Sequence, residues 1–442
     1  MRILHIIQRY WPAYGGAEIH FHEISVRLVA EGHHITVATT DALDFELFWD
    51  PSRRRIGEPE GHRDGVRILR FPVRHLPFPP LAYPAWRRLL WILSALRVVP
   101  VGLSQRLSRY TPWVPDLWRW LEQTEEPFDL VAGMTICFEP LLEAGLRFAR
   151  RRGIPFVIYP LTHLGAGAVP GADALSRFYT MRHQVALVRA SDAVVAQTPT
   201  ERAFYVRHGV PSEKIVVVGP GVNPQEVVGG NGQRFRARYN IRGALVASVS
   251  SLSYDKGTFH LIEAIHHLRR QGREVTLALA GTVLQPFRWC WERLSPDERE
   301  GVLILGSVGQ EEKRDLLAAC DIFALPSRTD SFGIVYLEAW LYRKPVVAAR
   351  TWGVTDVVQD GVDGLIVSFG DVIALAEAIA YLIDRPGLRE AMGRKGEQKV
   401  HSLHTWDRKY PLIRDLYSRL TGGRRCASYT SSISTLLTGS GV

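Results

Sequence analysis

The stretch LPSRTDSFGIVYLEAWLYRKPVVA, residues 325–348, sets two acids, Asp330 and Glu338, with seven residues between them that begin Ser331, Phe332 and Gly333. Each oxygen of an ionised carboxylate accepts about two hydrogen bonds, so either acid suits a pair of neighbouring sugar hydroxyls. Gly333 marks a helix start, where the first N–H groups have no partner inside the helix. The amides of Phe332, Gly333 and Ile334 can therefore hold phosphate or hydroxyl oxygens. Acceptors for hydroxyls and donors for an anion thus share one loop. In a purely structural role, Asp330 is a helix-entry acid and Glu338 a buried residue paired with an arginine.

Two other loops carry matching chemistry. In QRYWPAYGGAEIH (8–20) a strand ends and Gly15-Gly16 open a helix, so their unhindered amides at the positive helix end can approach an anion. In VSSLSYDKGTFHLIEAI (249–265), Lys256 stands at a helix start, where its ammonium can reach a diphosphate as a point charge. Turn geometry alone accounts for a Gly-Gly pair, and a surface position for a lysine.

The elements that must position these loops follow from periodicity. Apolar runs at 3–7, 34–40, 66–71, 128–133, 155–160, 193–197 and 214–219 predict strands, with helical patterns such as 17–30 between most of them. GPGVNPQEVVGGNGQ (219–233) is dense in turn formers and marks a linker. The pattern restarts with strands at 244–250, 274–281, 301–306, 321–326, 344–349 and 364–368. Continuous apolar strands alternating with helices indicate parallel sheets covered on both faces. The expected organisation is a doubly wound α/β domain over 1–218, the linker, and a second such domain over 234–403. A helix over 404–420 can fold back on either domain, and the tail 421–442 has the composition of a disordered segment.

Composition narrows the setting. A hydrophobic content of 46% and 38 glycines fit a globular α/β chain. The net charge of +9, nearly all from arginine, suits an anionic partner. The basic residues fall on no recognisable nucleic-acid module, which argues against that partner. The cysteines Cys137, Cys290, Cys320 and Cys426 have neither CxxC spacing nor a zinc-completing histidine nearby, so free thiols in a reducing compartment are expected. MRILHIIQRYWP is too poor in apolar residues for a signal segment, and nothing approaches the ~18 apolar residues of a spanning helix. A cytoplasmic protein, soluble or at the inner face of the plasma membrane, is the expectation.

Segment 72–122 departs from the alternation. It holds Trp86, Trp91, Trp113, Trp118 and Trp120 among many arginines and shows no strand pattern. Residues 85–99 can form a helix apolar at Trp86, Leu89, Leu90, Ile92, Leu93 and Leu96, flanked by Arg87, Arg88 and Arg97. Such a helix can lie in an anionic lipid interface. It can equally pack on its own domain with its tryptophans as core.

Together, QRYWPAYGGAEIHFHEISVRLVAEGHHITVATT, SLSYDKG, LGSVGQEEKRDLLAACDIFALPSRTDSFGIVYLEAWLYRKPVVA and DVVQDGVDGLIV resemble family 4 of the retaining glycosyltransferases, which have the GT-B fold of two Rossmann-like domains facing across a cleft. The resemblance covers nearly the whole chain except 72–122 and the tail. It implies an N-terminal acceptor-binding domain and a C-terminal domain for a nucleoside diphosphate sugar, which is a substrate rather than a cofactor. Asp330 falls on the family's first carboxylate, which bonds the transferred sugar, and Glu338 on the second, which holds the ribose. Lys256 and the Gly15-Gly16 amides fall on the diphosphate, His163 in YPLTHLG near the donor sugar, and Gly306 and Val308 beside the nucleobase. Asp330, His163 and Lys256 are then the catalytic candidates.

Two departures matter. Ser250-Ser251 stand where the family has a Gly-Arg turn, so one diphosphate cation is missing from Ser251, with Arg9 or Arg328 as possible substitutes. Asp330 replaces the commoner Glu. No Asp-x-Asp triplet occurs, so a metal held that way is not expected. The implied function is transfer of a hexose to a glycan or lipid-linked acceptor in cell-envelope polysaccharide or glycolipid synthesis. A non-hydrolysing nucleotide-sugar epimerase and a catalytically weak sugar-nucleotide-binding protein are the alternatives.

Overall fold

The computed structural model describes residues 1–13, 15–96 and 98–422. Positions 423–442 of the tail, and Arg97 of the tryptophan-rich segment, lie outside the described residues.

The first sheet contains β1 (Arg2–Ile6), β2 (His34–Thr40), β3 (Glu60–Arg63), β4 (Val66–Phe71), β5 (Leu130–Met134), β6 (Phe156–Tyr159), β7 (Ala193–Ala196) and β8 (Ile215–Val217). Its spatial order is β3-β4-β2-β1-β5-β6-β7-β8. Every pairing is parallel except the edge hairpin β3–β4. The second sheet contains β9 (Ala244–Val249), β10 (Val275–Ala280), β11 (Val302–Gly306), β12 (Ile322–Leu325), β13 (Val346–Ala349) and β14 (Gly364–Val367). All its pairings are parallel, in the order β11-β10-β9-β12-β13-β14. These are the strands that the apolar runs predict. The exception is β3, whose EGHR sequence has no apolar residue to signal it.

Strand order reverses direction between β1 and β5 in one sheet and between β9 and β12 in the other. In open parallel sheets a ligand crevice forms at such switch points, beyond the carboxyl ends of the strands. The Gly15-Gly16 loop follows β1, the Lys256 loop follows β9, and the Asp330 loop follows β12. Topology alone therefore brings Lys256 and Asp330 to one crevice.

The segment 219–233 is less free than its composition implies. Pro224–Val227 and Gly232–Arg238 are helical. A Cβ on Gly230 would come 2.1 Å from Arg314 O, so this stretch lies tight against the helix Gln310–Ala319.

The last helix, Trp406–Leu420, docks on the first sheet's domain. Trp406 stacks on His20 at 5.4 Å and lies under Arg27 at 4.7 Å, and the Tyr417 and Tyr159 hydroxyls are 3.0 Å apart. The two crossing strands of chain are bonded to each other: Val222 N donates to His404 O at 2.8 Å and Trp406 N to Val222 O at 3.1 Å. Because Trp406 is buried against the first domain, Trp406→Ala should cost that domain about 3–5 kcal/mol. Denaturant unfolding followed by near-UV circular dichroism measures this. An unchanged midpoint would show that the helix is not held there by its packing.

In the tryptophan-rich segment the helix runs Pro79–Ala95, earlier than the 85–99 that the sequence suggests, and is followed by Val101–Ser108 and Pro115–Gln123. Its inner face packs on the domain. Arg87, expected among the outward arginines, is instead buried on Glu139 at 2.6 Å, and that carboxylate also meets His183 at 3.0 Å. Burial opposes charge on both Arg87 and Glu139, yet their attraction raises the former and lowers the latter. No helix among the described residues is long and apolar enough to cross a membrane.

Candidate active site

The Asp330 loop leaves β12 and ends at Gly333, whose φ of +83° is a left-handed conformation that favours glycine. A side chain there would also strike the Tyr336 ring at 2.2 Å. The helix Ile334–Leu341 starts at the next residue and carries Glu338 one turn in. Among the described residues nothing accepts from the amides of Phe332, Gly333 or Ile334. The Phe332 side chain itself faces away, buried between Gly219 and His404, with its ring 5.6 Å from the imidazole.

Lys256 Nζ lies 3.0 Å from each Asp330 oxygen. Burial raises the Asp330 carboxyl, but Lys256 and, less strongly, His163 outweigh it and hold it below the ordinary carboxylate range. The third member comes from the other domain. Burial, aided by Lys256 and opposed by Asp330, lowers the His163 imidazole to about 4. It is therefore neutral at pH 7, with one nitrogen able to donate and the other to accept. Its ring meets Tyr179 edge-on at 4.6 Å, and its buried Nδ1 has no partner. Directly beneath, buried Glu201 accepts from Thr162 N and Gln197 N, both at 2.7 Å, which fixes the chain on either side of the cleft wall.

Glu338 is paired with a lysine, not an arginine: Lys313 Nζ sits 2.7 Å from Oε1. Oε2 is buried and unpartnered. A buried carboxylate oxygen without a donor is uncommon and costly, and a sugar hydroxyl would satisfy it. Lys313 lies in the helix Gln310–Ala319 that follows Gly306 and Val308, so its pair with Glu338 joins that helix to the helix Ile334–Leu341. Gly306 has a φ of +68°, and Val308 packs half-buried on the core.

Gly15 is extended and caps the helix Gly16–Ala30. A Cβ on it would lie 2.3 Å from Glu18 Oε2. A Cβ on Gly16 would lie 4.0 Å from Ile334 Cδ1, so the two amide-rich loops meet across the cleft. Ser251 is half-buried just past β9 and brings no charge. Neither substitute cation is free. Arg9 is bound to Glu18 at 3.0 Å and to Leu43 O at 3.2 Å. Arg328 is held by Asp255 at 2.7 Å and lies 5.1 Å from both Tyr254 and Phe369. Lys313, which no sequence signal singled out within EEKRD, is the additional cation.

The structure thus brings Lys256, Asp330 and His163 together, sets Gly16 against Ile334, and pairs Glu338 with Lys313. Two sequence profiles match on either side of the linker. The glycosyl transferase 4-like domain covers residues 15–221, and glycosyl transferases group 1 covers 233–399. The chain belongs to the family 4 glycosyltransferases.

Its fold is GT-B. Over 95% of its length this glycosyltransferase superimposes on all of Anabaena HepE in complex with UDP-glucose, with a TM-score of 0.69 and 20% identity. Among curated relatives, the D-inositol 3-phosphate glycosyltransferase of Xylanimonas cellulosilytica is 28% identical over 296 residues, 64% of this chain and 70% of that protein. The GDP-mannose-dependent alpha-(1-6)-phosphatidylinositol monomannoside mannosyltransferase of Mycolicibacterium smegmatis is 33% identical over 202 residues. That match spans 43% of this chain and about half, 51%, of the mannosyltransferase.

The electrostatics are open to a direct check. In an NMR titration the His163 imidazole should ionise near pH 4 in the native protein. Lys256→Met removes a cation and leaves Asp330 unpaired, so the His163 pKa should rise. An unmoved value would show that the three groups do not share one field.

Proposed function

We propose that this glycosyltransferase moves a hexose from a nucleoside diphosphate sugar to a glycan or lipid-linked acceptor of the cell envelope. The proposed reaction retains anomeric configuration and needs no metal ion. The buried, unpartnered Oε2 of Glu338, one turn into the helix whose first amides are bare, carries this reading. It is a site for a diol beside a site for a diphosphate. The complex of HepE with UDP-glucose and the GDP-mannose dependence of the mycolicibacterial relative support the donor class.

In the proposed reaction Glu338 accepts from the ribose hydroxyls, and Lys313 holds its other oxygen in place. Lys256 and the amides of Phe332, Gly333 and Ile334 stabilise charge on the departing diphosphate, aided by the positive end of the helix and by Gly15 and Gly16 opposite. Asp330 and neutral His163 bond hydroxyls of the transferred sugar from opposite sides. The acceptor attacks from the face that the diphosphate leaves, and a departing phosphate oxygen takes the acceptor's proton. Asp330, clamped by Lys256, is a hydrogen-bond acceptor and not a nucleophile. Among the described residues no group of three or more His, Cys, Asp or Glu side chains is placed to hold a metal.

A thermal-shift series with UDP-, GDP- and ADP-sugars tests the donor class, because a ligand that binds the native state raises the melting temperature. One nucleotide should raise it clearly, and Glu338→Ala should weaken that nucleotide at least 10-fold, about 1.4 kcal/mol. NMR of the product should show the donor's anomeric configuration, with turnover unchanged by EDTA. Isomerisation of the donor without an acceptor would favour the epimerase, and the absence of any nucleotide binding would sink the reading.

The outer face of the helix Pro79–Ala95 favours a membrane-proximal acceptor. Leu81, Leu89 and Ile92 lie exposed along one stripe, continued by Phe78, Leu96 and Val98, the last of them 90% exposed. Exposed Arg88 and the excess positive charge suit anionic headgroups. The proposed location is the cytoplasmic face of the plasma membrane. The protein should float with phosphatidylglycerol-containing vesicles and less with phosphatidylcholine alone, and the paired change Leu89→Glu, Ile92→Glu should abolish flotation. Flotation that survives the pair would place the contact elsewhere.

A further inference from the structure

The segment after β13 connects the Asp330 loop to the opposite domain. On its own side it is packed hard against that loop. Thr351 Oγ1 donates to Asp330 O at 3.5 Å, and a Cβ on Gly353 would lie only 2.0 Å from Ser331 O. Thr351 and Gly353 thus cannot move without moving residues 330–331.

Across the cleft the same segment makes four hydrogen bonds. Trp352 N donates to Gly165 O at 3.0 Å, and Trp352 Nε1 to Gly167 O at 2.8 Å. The indole ring packs against the hydrophobic core of the first domain. Four residues on, Asp356 accepts from Thr200 N at 2.8 Å and from Thr200 Oγ1 at 3.0 Å, at the start of the helix Pro199–Arg207. Among the described residues, the hydrogen bonds that join 1–218 directly to 234–403 come from Trp352 and Asp356.

The two anchor points flank His163. Gly165 lies two residues past it on the same loop, and Thr200 adjoins Glu201, which holds Thr162 N. One short segment is therefore fixed at one end to the loop of Asp330 and bonded at the other to both supports of His163. The distance between these two polar groups, which come from different domains, depends on it.

We infer that Trp352 and Asp356 form an interdomain clasp that sets His163 against Asp330, with Trp352 as a positioning residue for the transfer reaction. The inference rests on the proposed sugar transfer for its kinetic consequence only; the clasp itself is a matter of shape. An aromatic ring with a donor nitrogen suits the task, because it fills a hydrophobic recess while bonding a carbonyl at its rim. Misplacing a reacting group by about 1 Å can cost on the order of 100-fold in rate. Loss of the clasp should therefore lower kcat far more than donor affinity, because most of the proposed donor contacts, from Glu338, Lys256 and the 332–334 amides, come from one domain, with Gly15 and Gly16 alone from the other.

The test uses the full chain and two independent variants, Trp352→Ala and Asp356→Ala, with Trp352→Phe as the conservative control. Small-angle X-ray scattering without nucleotide should give a larger radius of gyration for both alanine variants than for wild type. Trp352→Phe, which keeps the ring and the main-chain bond to Gly165, should stay close to wild type. With the nucleotide sugar that wild type turns over, kcat should fall on the order of 100-fold in Trp352→Ala, with donor KM changed less than about threefold, and Trp352→Phe should recover most of it. Identical scattering curves for wild type and both alanine variants would overturn the clasp. A changed curve with unchanged kcat would overturn the positioning role, as would a loss confined to KM. If wild type turned over no nucleotide sugar, the proposed function would fall while scattering still decided the clasp.

Discussion

The arrangement depends on one half-buried ion pair at a strand crossover. Lys256 Nζ lies 3.0 Å from both oxygens of Asp330, and the two residues come from the loops after β9 and β12, between which the sheet changes direction. A carboxylate withdrawn from most of its water must be compensated, and here the compensation is Lys256. In the proposed reaction the pair is exchangeable: an incoming diphosphate offers Lys256 a second anion, and sugar hydroxyls offer Asp330 neutral donors. Glu338 and Lys313 repeat the device at 2.7 Å one helical turn away. Each acid is thus oriented by a cation, and Glu338 Oε2 keeps its accepting capacity free.

The first domain faces these pairs with groups that carry no net charge. His163 is kept neutral by burial, and the Gly15-Gly16 turn brings backbone within 4.0 Å of Ile334 measured from a notional Cβ. The ion pairs Lys256–Asp330 and Lys313–Glu338 lie on the second domain's side, while the neutral imidazole and the glycine amides come from the first. That division follows from the fold. Each wall is the carboxyl edge of a parallel sheet, where helix starts present amides and loops present side chains.

Much of this was legible in the sequence, for a physical reason. Strands buried on both faces must be continuously apolar, so the runs at 34–40, 66–71 and 244–250 announce themselves. Glycines that a turn or a close approach requires, such as Gly333, stand out beside the acids they position. What stayed hidden is what only three dimensions bring together. Lys313 is one charge among several in EEKRD, and its role depends on a residue in another helix. Trp352 resembles any half-buried aromatic until its indole reaches Gly167. The β3 hairpin edge lacks apolar residues altogether, and Arg87 turns inward because Glu139 waits beneath it. Ser250-Ser251 bring no cation to the loop after β9, and the sequence could not show that Arg9 and Arg328 pair with Glu18 and Asp255.

The account's central claim is that one nucleotide engages loops of both domains at once. Hydrogen–deuterium exchange over the peptides spanning 15–20 and 331–336, with and without a saturating nucleoside diphosphate, tests it most directly. Slower exchange in both segments on binding is the predicted result. Protection of neither, or of the 331–336 segment alone with 15–20 unaffected, would contradict it.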